Sequence, residues 1–216
     1  MFDKVRTVVI NYQTPDLIKI AVESLRKFYP SVKLLIIDNG SKDESKAVIE
    51  RLKGECPDET DLLFLNKNCF HGPAMDKALK TVYEEYVFFL DSDAEVKRGG
   101  FLEAMLDEME KDKNAYGIGR MQIVNKRGFP AEEGITVLVP AYMMIRRSYY
   151  SDLPPFEHHG MPVLNNFISA NEKGLRLISF PIEQYIDHKW RGTASRYGYG
   201  LGLKGKIDYV LNKIGL

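Results

Sequence analysis

The chain is poor in the residues that mark several other protein classes. Of its 216 residues only two are cysteines, Cys56 and Cys69. Their separation fits no metal motif, so both read as free thiols in a reducing compartment. Lys and Arg number 30, as do Asp and Glu, so the formal net charge is +0 and there is no global electrostatic case for nucleic acid as a partner. No apolar run is long enough to span a bilayer. Met1-Phe2-Asp3-Lys4 leads straight into a strand pattern without the apolar core of a signal peptide. Internal repeats, low-complexity tracts and linkers are also missing. The expectation is a soluble, cytoplasmic protein, long enough for one domain with a substantial core.

What the chain does have is a cluster of acid behind an apolar run. Tyr86-Val87-Phe88-Phe89-Leu90 reads as a buried strand, and Asp91-Ser92-Asp93-Ala94-Glu95 follows it directly. Carboxylate oxygens suit Mg²⁺ or Mn²⁺, ions that keep some waters and bind phosphate oxygens beside one or two protein carboxylates. The segment therefore suggests a metal shared with a diphosphate. An Asp-x-Asp also occurs as a turn cap with a solvated neighbour, so the rest of the chain has to decide.

Residues 5–11, Val-Arg-Thr-Val-Val-Ile-Asn, predict a first strand, with Thr14 and Pro15 placed to cap and start a helix. Leu17, Ile20, Ala21, Leu25 and Phe28 give that helix one apolar stripe. A second strand over 32–37 ends in Asp38-Asn39-Gly40-Ser41, and Ser41 with Glu44 has capping-box spacing for the next helix. Residues 62–65 form a third strand ending at Asn66, and Gly72-Pro73-Ala74 open a helix reaching about Tyr83. The acid-tipped strand is the fourth. Alternation of this kind predicts a parallel sheet covered on both faces, with its ligand crevice outside the carboxyl ends of the strands. Asn11, Asp38, Asn66 and Asp91 all fall at those ends.

These motifs resemble the glycosyltransferases of the GT-A fold, specifically the large family 2 group. The resemblance is carried by Val9-Ile10-Asn11-Tyr12, Ile36-Ile37-Asp38-Asn39-Gly40-Ser41, the 66–79 segment and Asp91-Ser92-Asp93. It matches in order and spacing to about residue 100 and more loosely to His188. The fold it implies is α/β, a mixed Rossmann-like GT-A sheet flanked by helices. The implied layout is a single domain over 1–216: a nucleotide-sugar-binding half at 1–100, an acceptor-side half at 101–195 and a C-terminal tail at 196–216.

The resemblance also implies a donor site for a UDP-, GDP- or dTDP-sugar. Ile10 and Asn11 would line the base pocket, and Asp38 would accept a hydrogen bond from the base. Asn66 sits on the same rim. Asp76 stands where relatives often carry Asn near the ribose or diphosphate, and Lys77 would reach phosphate. Phe70 and His71 depart from the family pattern, which often has a glycine and an aromatic there. Asp91 and Asp93 resemble the metal-binding pair, Asp93 as the direct ligand and Asp91 nearer the ribose, with Ser92 between them. His188 resembles the late histidine that completes the metal shell in some relatives, and Arg191 offers a bidentate contact to diphosphate. Mn²⁺ or Mg²⁺ is the implied cofactor, stabilising charge as the diphosphate leaves.

The acceptor hydroxyl must lose a proton, commonly to a carboxylate. In many inverting relatives that carboxylate precedes a helix-ending glycine by about a dozen residues. Gly174 resembles that glycine, yet the corresponding Pro162 and Val163 carry no acid. Glu157 or the adjacent His158 and His159 can replace the base from a loop, as can Glu132 or Glu133 from the other wall. A retaining mechanism would need no such base. Glu157 and His158 are taken as the acceptor-side residues.

Beyond residue 100, a helix over 101–109, a strand over 116–123, a turn at 125–128, two strands over 135–139 and 142–145, a helix over 162–172 and a strand over 175–180 are expected, with at least one strand antiparallel. The acceptor, a glycan or lipid-linked molecule, would lie here. Residues 204–216 place Ile207, Val210, Leu211 and Ile214 at helical spacing beside three lysines. That segment suits either weak membrane-surface association or packing on the domain or a second copy. Two other functions share these features. A sugar nucleotidyltransferase would need a glycine-rich basic loop, which Asn11-Tyr12-Gln13-Thr14-Pro15 lacks, and a non-catalytic sugar-nucleotide binder would explain the missing base.

Overall fold

The β-branched residues of β1 (Val5–Asn11) lead into a turn and then into Pro15, whose fixed φ suits the first position of α1 (Pro15–Phe28). The computed structural model describes residues 2–157 and 161–189. In it the strand–helix alternation continues through β2 (Lys33–Asp38), α2 (Ser45–Glu55), β3 (Thr60–Phe64), α3 (His71–Thr81) and β4 (Tyr86–Asp91). The second half follows with β5 (Ala94–Val96), α4 (Phe101–Lys111), β6 (Ala115–Val124), β7 (Ile135–Arg146), α5 (Leu164–Glu172), β8 (Arg176–Ser179) and β9 (Ile186–His188).

Seven strands form one sheet in the order β3-β2-β1-β4-β7-β6-β8. The first four are mutually parallel. β7 then runs antiparallel to both β4 and β6, and β8 is parallel to β6. Alternate residues of each strand serve opposite faces. Val9, Ile36 and Phe88 pack with Ile18, Leu25, Phe101 and Met105 on one side. Val8, Ile37 and Phe89 pack with Met75, Ala78, Phe156 and Phe167 on the other. Both faces being covered explains why these strands read as unbroken apolar runs.

Three local expectations are revised, and one pairing is new. The two strands expected over 135–139 and 142–145 are one strand, β7, which runs through Pro140. The β6–β7 register shifts between Gly119 and Met121 beside it, so the proline occupies a ladder irregularity where its missing N–H costs least. Ser41 does not cap α2, which starts at Ser45 with Glu44 at its N-cap and no side-chain cap. The Ser41 hydroxyl is spent on Asp38 instead. Thr14 does hold the N-cap position of α1, but its hydroxyl turns back to Asn11 rather than bonding the helix. Finally, a two-stranded ladder pairs β5 with β9 antiparallel and sets Ala94 opposite His188.

Candidate functional site

The carboxyl ends of β1, β2 and β4 meet at one mouth, where Asn11 is in register with Asp38 and Ile10 with Asp91. Asp38 is 4% exposed and well satisfied. Its Oδ1 accepts from Asn11 Nδ2 at 3.1 Å and Ser41 Oγ at 2.6 Å, and its Oδ2 from the Ser41 backbone N–H at 3.0 Å. Thr14 Oγ1 donates to Asn11 Oδ1 at 2.8 Å and shares a 3.3 Å hydroxyl contact with Ser92 Oγ. A chain of polar groups thus links Asp38 to the turn between Asp91 and Asp93.

On the other side of that turn the β5–β9 ladder delivers His188 to the acids. His188 Nε2 lies 3.3 Å from Asp91 Oδ2 and 3.2 Å from Asp93 Oδ1. The three residues offer ligand atoms all within 4.8 Å of one another. Two carboxylate oxygens and one imidazole nitrogen suit Mn²⁺ or Mg²⁺ and leave positions for water or phosphate oxygen. Without an ion, a proton fills the role. Burial works against charge on His188, but hydrogen bonds and charge from Asp91 and Asp93 outweigh it and push its pKa up to about 9. Burial likewise opposes ionisation of Asp91, and His71 and His188 together hold its pKa below the usual carboxylate value. The Tyr142 ring meets His188 edge-on at 5.7 Å, and a cavity of about 290 Å³ opens beside them, lined by Lys97, Glu183, Tyr185 and Asp187 among others.

His71 was not among the expected site residues. Its Nε2 stands 3.6 Å from Asp91 Oδ1, so histidines face both oxygens of that carboxylate. Its placement follows from Gly72, where a Cβ would overlap the carbonyl of Glu157. Only glycine lets α3 begin this close to the 154–157 segment. Glu157 is thereby brought beside the start of α3, with its exposed side chain accepting from Asn165 Nδ2 at 3.2 Å. His158 and Arg191 lie outside the described residues. Glu132 and Glu133 are exposed in the loop between β6 and β7.

The remaining expected residues divide. Asn66 is exposed, and the loop before α3 is ordered by Asn39 and Asn68 instead. Asn39 Nδ2 donates to Asn68 Oδ1 and to the Phe70 carbonyl, and its Oδ1 accepts the Cys69 N–H. Asp76 faces Tyr150, whose hydroxyl donates to it at 2.9 Å, and pairs with Lys80 at 2.8 Å, so its contacts are not with the acids. Lys77 is exposed on α3, and burial pushes the Cys69 thiol up with Lys77 only partly offsetting it. Phe70 adopts φ 70° and ψ 170°, a region essentially reserved for glycine and costing roughly 1–3 kcal/mol.

A family model described as Glycosyl transferase family 2 matches residues 7–169. A Campylobacter jejuni protein named GalNAc(5)-diNAcBac-PP-undecaprenol beta-1,3-glucosyltransferase is 26% identical over 117 residues, 53% of this chain and 37% of that protein. The chain spans 28 to 52% of the length of the curated relatives it matches. Among solved structures, the mannosyltransferase PcManGT from Pyrobaculum calidifontis, in complex with GDP-Man and Mn²⁺, superposes with a TM-score of 0.66 at 16% identity. That match covers 82% of this chain and 55% of the other. S. aureus TarS 1-349 in complex with UDP-GlcNAc gives 0.63 at 20% identity, covering 90% and 61%. The mixed seven-stranded sheet flanked by helices is the GT-A architecture of these neighbours.

Proposed function

We propose that this chain, which belongs to glycosyl transferase family 2, transfers a sugar from a nucleoside-diphosphate donor to an acceptor hydroxyl with the help of Mn²⁺ or Mg²⁺. The observation that carries the reading is the convergence of Asp91, Asp93 and His188 at the mouth that also holds Asn11 and Asp38. Neighbouring structures hold GDP-Man with Mn²⁺ and UDP-GlcNAc, which supports a nucleotide-sugar donor.

In this reading Ile10, Asn11 and Asp38 receive the base. The second lone pair of Asp38 Oδ2 is the acceptor for a base N–H, since Ser41 and Asn11 already hold the carboxylate in place. Asp91, gripped by two histidines, faces the ribose and diphosphate, while Asp93 and His188 hold the ion. A bound divalent ion supplies charge that stabilises the departing diphosphate. Lys77 and Arg191 are the residues this reading assigns to the phosphates. The acceptor enters at the cavity beside His188, which Tyr142 of β7, Lys97 and the segment leading into β9 line. Glu157 and His158 remain the acceptor-side candidates for taking the proton, and Glu157 sits beside the start of α3. The Campylobacter relative acts, by its name, on an undecaprenol-linked oligosaccharide. A glycan or lipid-linked acceptor is the corresponding proposal here, met by a cytoplasmic protein that touches the membrane or a second copy through residues 204–216. No helix among the described residues is long and apolar enough to cross a membrane.

The test is release of nucleoside diphosphate from a panel of UDP-, GDP- and dTDP-sugars with and without Mn²⁺. Metal-dependent turnover lost in Asp93→Ala supports transfer. The start of α5 carries Val163, Leu164, Asn165 and Asn166 rather than an acid, and this favours one second reading, a sugar-nucleotide binder without turnover. Tight donor binding with no release under any condition would establish that reading instead.

A further inference from the structure

A second cavity, of about 530 Å³, lies between α3 and the segment that follows β7, and its volume is within the range of small-molecule sites. It is well removed from the acids. From His71, which faces Asp91, to Lys80 on the cavity wall, α3 rises roughly 13 Å. The other wall starts at Arg147, directly after the β7 residue in register with Tyr86, which is roughly 17 Å along β4 from Asp91.

Arg147 gives that wall its charge. Its Nε donates to the Glu84 carbonyl at 3.0 Å and its Nη2 to the Tyr83 carbonyl at 3.2 Å, so neutral acceptors fix the guanidinium plane. Among the described residues no carboxylate pairs with it. A guanidinium held in this way has given up its rotamer freedom in advance and keeps its charge for an outside anion. Across the cavity, Lys80 is anchored to Asp76 at 2.8 Å, and Asp76 is itself held by the Tyr150 hydroxyl at 2.9 Å. An ammonium has three donors, so two remain beyond that bond. Exposed Ser148 and Ser151 add hydroxyls from the turn that carries Arg147.

The floor has a different character. Leu79 and Leu153 are buried beneath it with Pro155 at its edge, and Tyr150 has its polar end occupied between Asp76 and the Phe156 N–H. An occupant that satisfies both parts needs an anionic head and an apolar body. Phosphate suits the head better than carboxylate, since its three terminal oxygens can reach the guanidinium, the ammonium and a serine hydroxyl together.

We propose that this cavity is a second ligand site, for a phosphate monoester bearing an apolar group, with the phosphate between Arg147 and Lys80 and the apolar group on Leu79, Leu153 and Pro155. A soluble organic phosphate and the head of a phospholipid share this chemistry. The inference is independent of the nucleotide-sugar reading, because none of these residues belongs to the acid mouth.

The experiment titrates phenyl phosphate, inorganic phosphate and phenol into the whole chain by calorimetry, in chelator so that metal-assisted phosphate binding at the acids is silent. Arg147→Gln, Ser151→Glu and Asp93→Ala are compared with the wild type, and their melting temperatures are recorded. Ser151→Glu alters an exposed side chain and brings a carboxylate to the phosphate, so it tests the site even where Arg147→Gln, which strands two carbonyls, fails to fold. The expected result is saturable phenyl phosphate binding, about tenfold or more tighter than that of inorganic phosphate or phenol. Ser151→Glu and folded Arg147→Gln should each weaken it about tenfold or more, and Asp93→Ala should leave it unchanged. The inference is overturned by absence of saturable binding, by wild-type affinity in folded Ser151→Glu, or by loss of binding in Asp93→Ala, which would assign the phosphate to the acids. Equal affinity for phenyl phosphate and inorganic phosphate also overturns it, by removing the apolar floor from the site. Given phenyl phosphate binding, co-sedimentation with phosphatidate vesicles that phenyl phosphate displaces identifies a lipid source, and no co-sedimentation identifies a soluble one.

Discussion

His188 Nε2 stands 3.2 Å from Asp93 Oδ1, a contact made by two residues with nothing in common except that the short β5–β9 ladder sets them at adjacent positions. Asp93 is 6% exposed. A carboxylate so enclosed needs a counter-charge, and the site can supply it as an imidazolium or as a metal ion. Asp93→Ala is therefore expected to abolish the Mn²⁺ response and lower turnover by about 10²-fold or more, the scale of several kcal/mol of charge stabilisation. Mn²⁺ titration of donor hydrolysis checks this. Unchanged Mn²⁺ dependence would remove Asp93 from the ligand set.

The proton on His188 gives the metal-free protein a specific pH dependence. Its pKa is raised from 6.5 to about 9 on folding, so its contribution to stability is fully present below pH 6.5 and is lost as pH rises through 9. Thermal melts in chelator should fall steadily between those limits, and His188→Gln should flatten that slope. Mn²⁺ binding at neutral pH should release close to one proton, measurable by calorimetry in buffers of different ionisation enthalpy.

At Gly72 the expectation is steric. Alanine there would drive a methyl into the Glu157 carbonyl and push α3 away from the 154–157 segment. Overpacking of this kind costs about 1–3 kcal/mol. The melting temperature should fall by about 5 °C. Because His71 moves with the start of α3, donor hydrolysis should also decline, whereas Gly54→Ala, in α2 with open space around it, should leave hydrolysis unchanged and raise the melting temperature slightly.

Asp38→Ala would strand the Ser41 N–H and hydroxyl and weaken the hold on Asn11. Donors left unpaired cost about 1–3 kcal/mol. Nucleoside diphosphate affinity should drop while Mn²⁺ affinity in the absence of nucleotide stays at the wild-type value. Equal loss of both would show that Asp38 supports the acids rather than the base.

Much of this fold could be read from residue order because its signals are local. The β-branched runs of β1, β2 and β4 and the apolar stripe of α1 are visible without any knowledge of what they pack against. Asp91 and Asp93 stand out as well, since acid behind an apolar strand is a pattern in itself, whereas His188 is reached only through the family resemblance. What escaped depends on partners distant in the chain. β5 and β9 are three residues each, too short for any periodicity, and only their pairing makes them strands. Ser41 has the spacing of a cap, and the competing Asp38 decides its bond. Pro140 looks like a strand break because its neighbour on β6 is not visible in the sequence. His71 carries no motif, and its contact with Asp91 exists only because α3 enters at Gly72.

The β5–β9 ladder also bears on how the protein comes into being. Ninety-seven positions separate Asp91 from His188, and the three-pair β5–β9 ladder holds the later segment together with backbone bonds from Lys97 and Arg98 to the Tyr185 carbonyl and from Lys189 to the Asp93 carbonyl. Contacts of such long range close late, after the local ones. A chain in which the parallel half alone is built would hold Asp91 beside His71 but would lack His188. The candidate metal pocket is complete only with that final stretch, so a truncated product lacking it is expected to fold most of its sheet and to show no Mn²⁺ response.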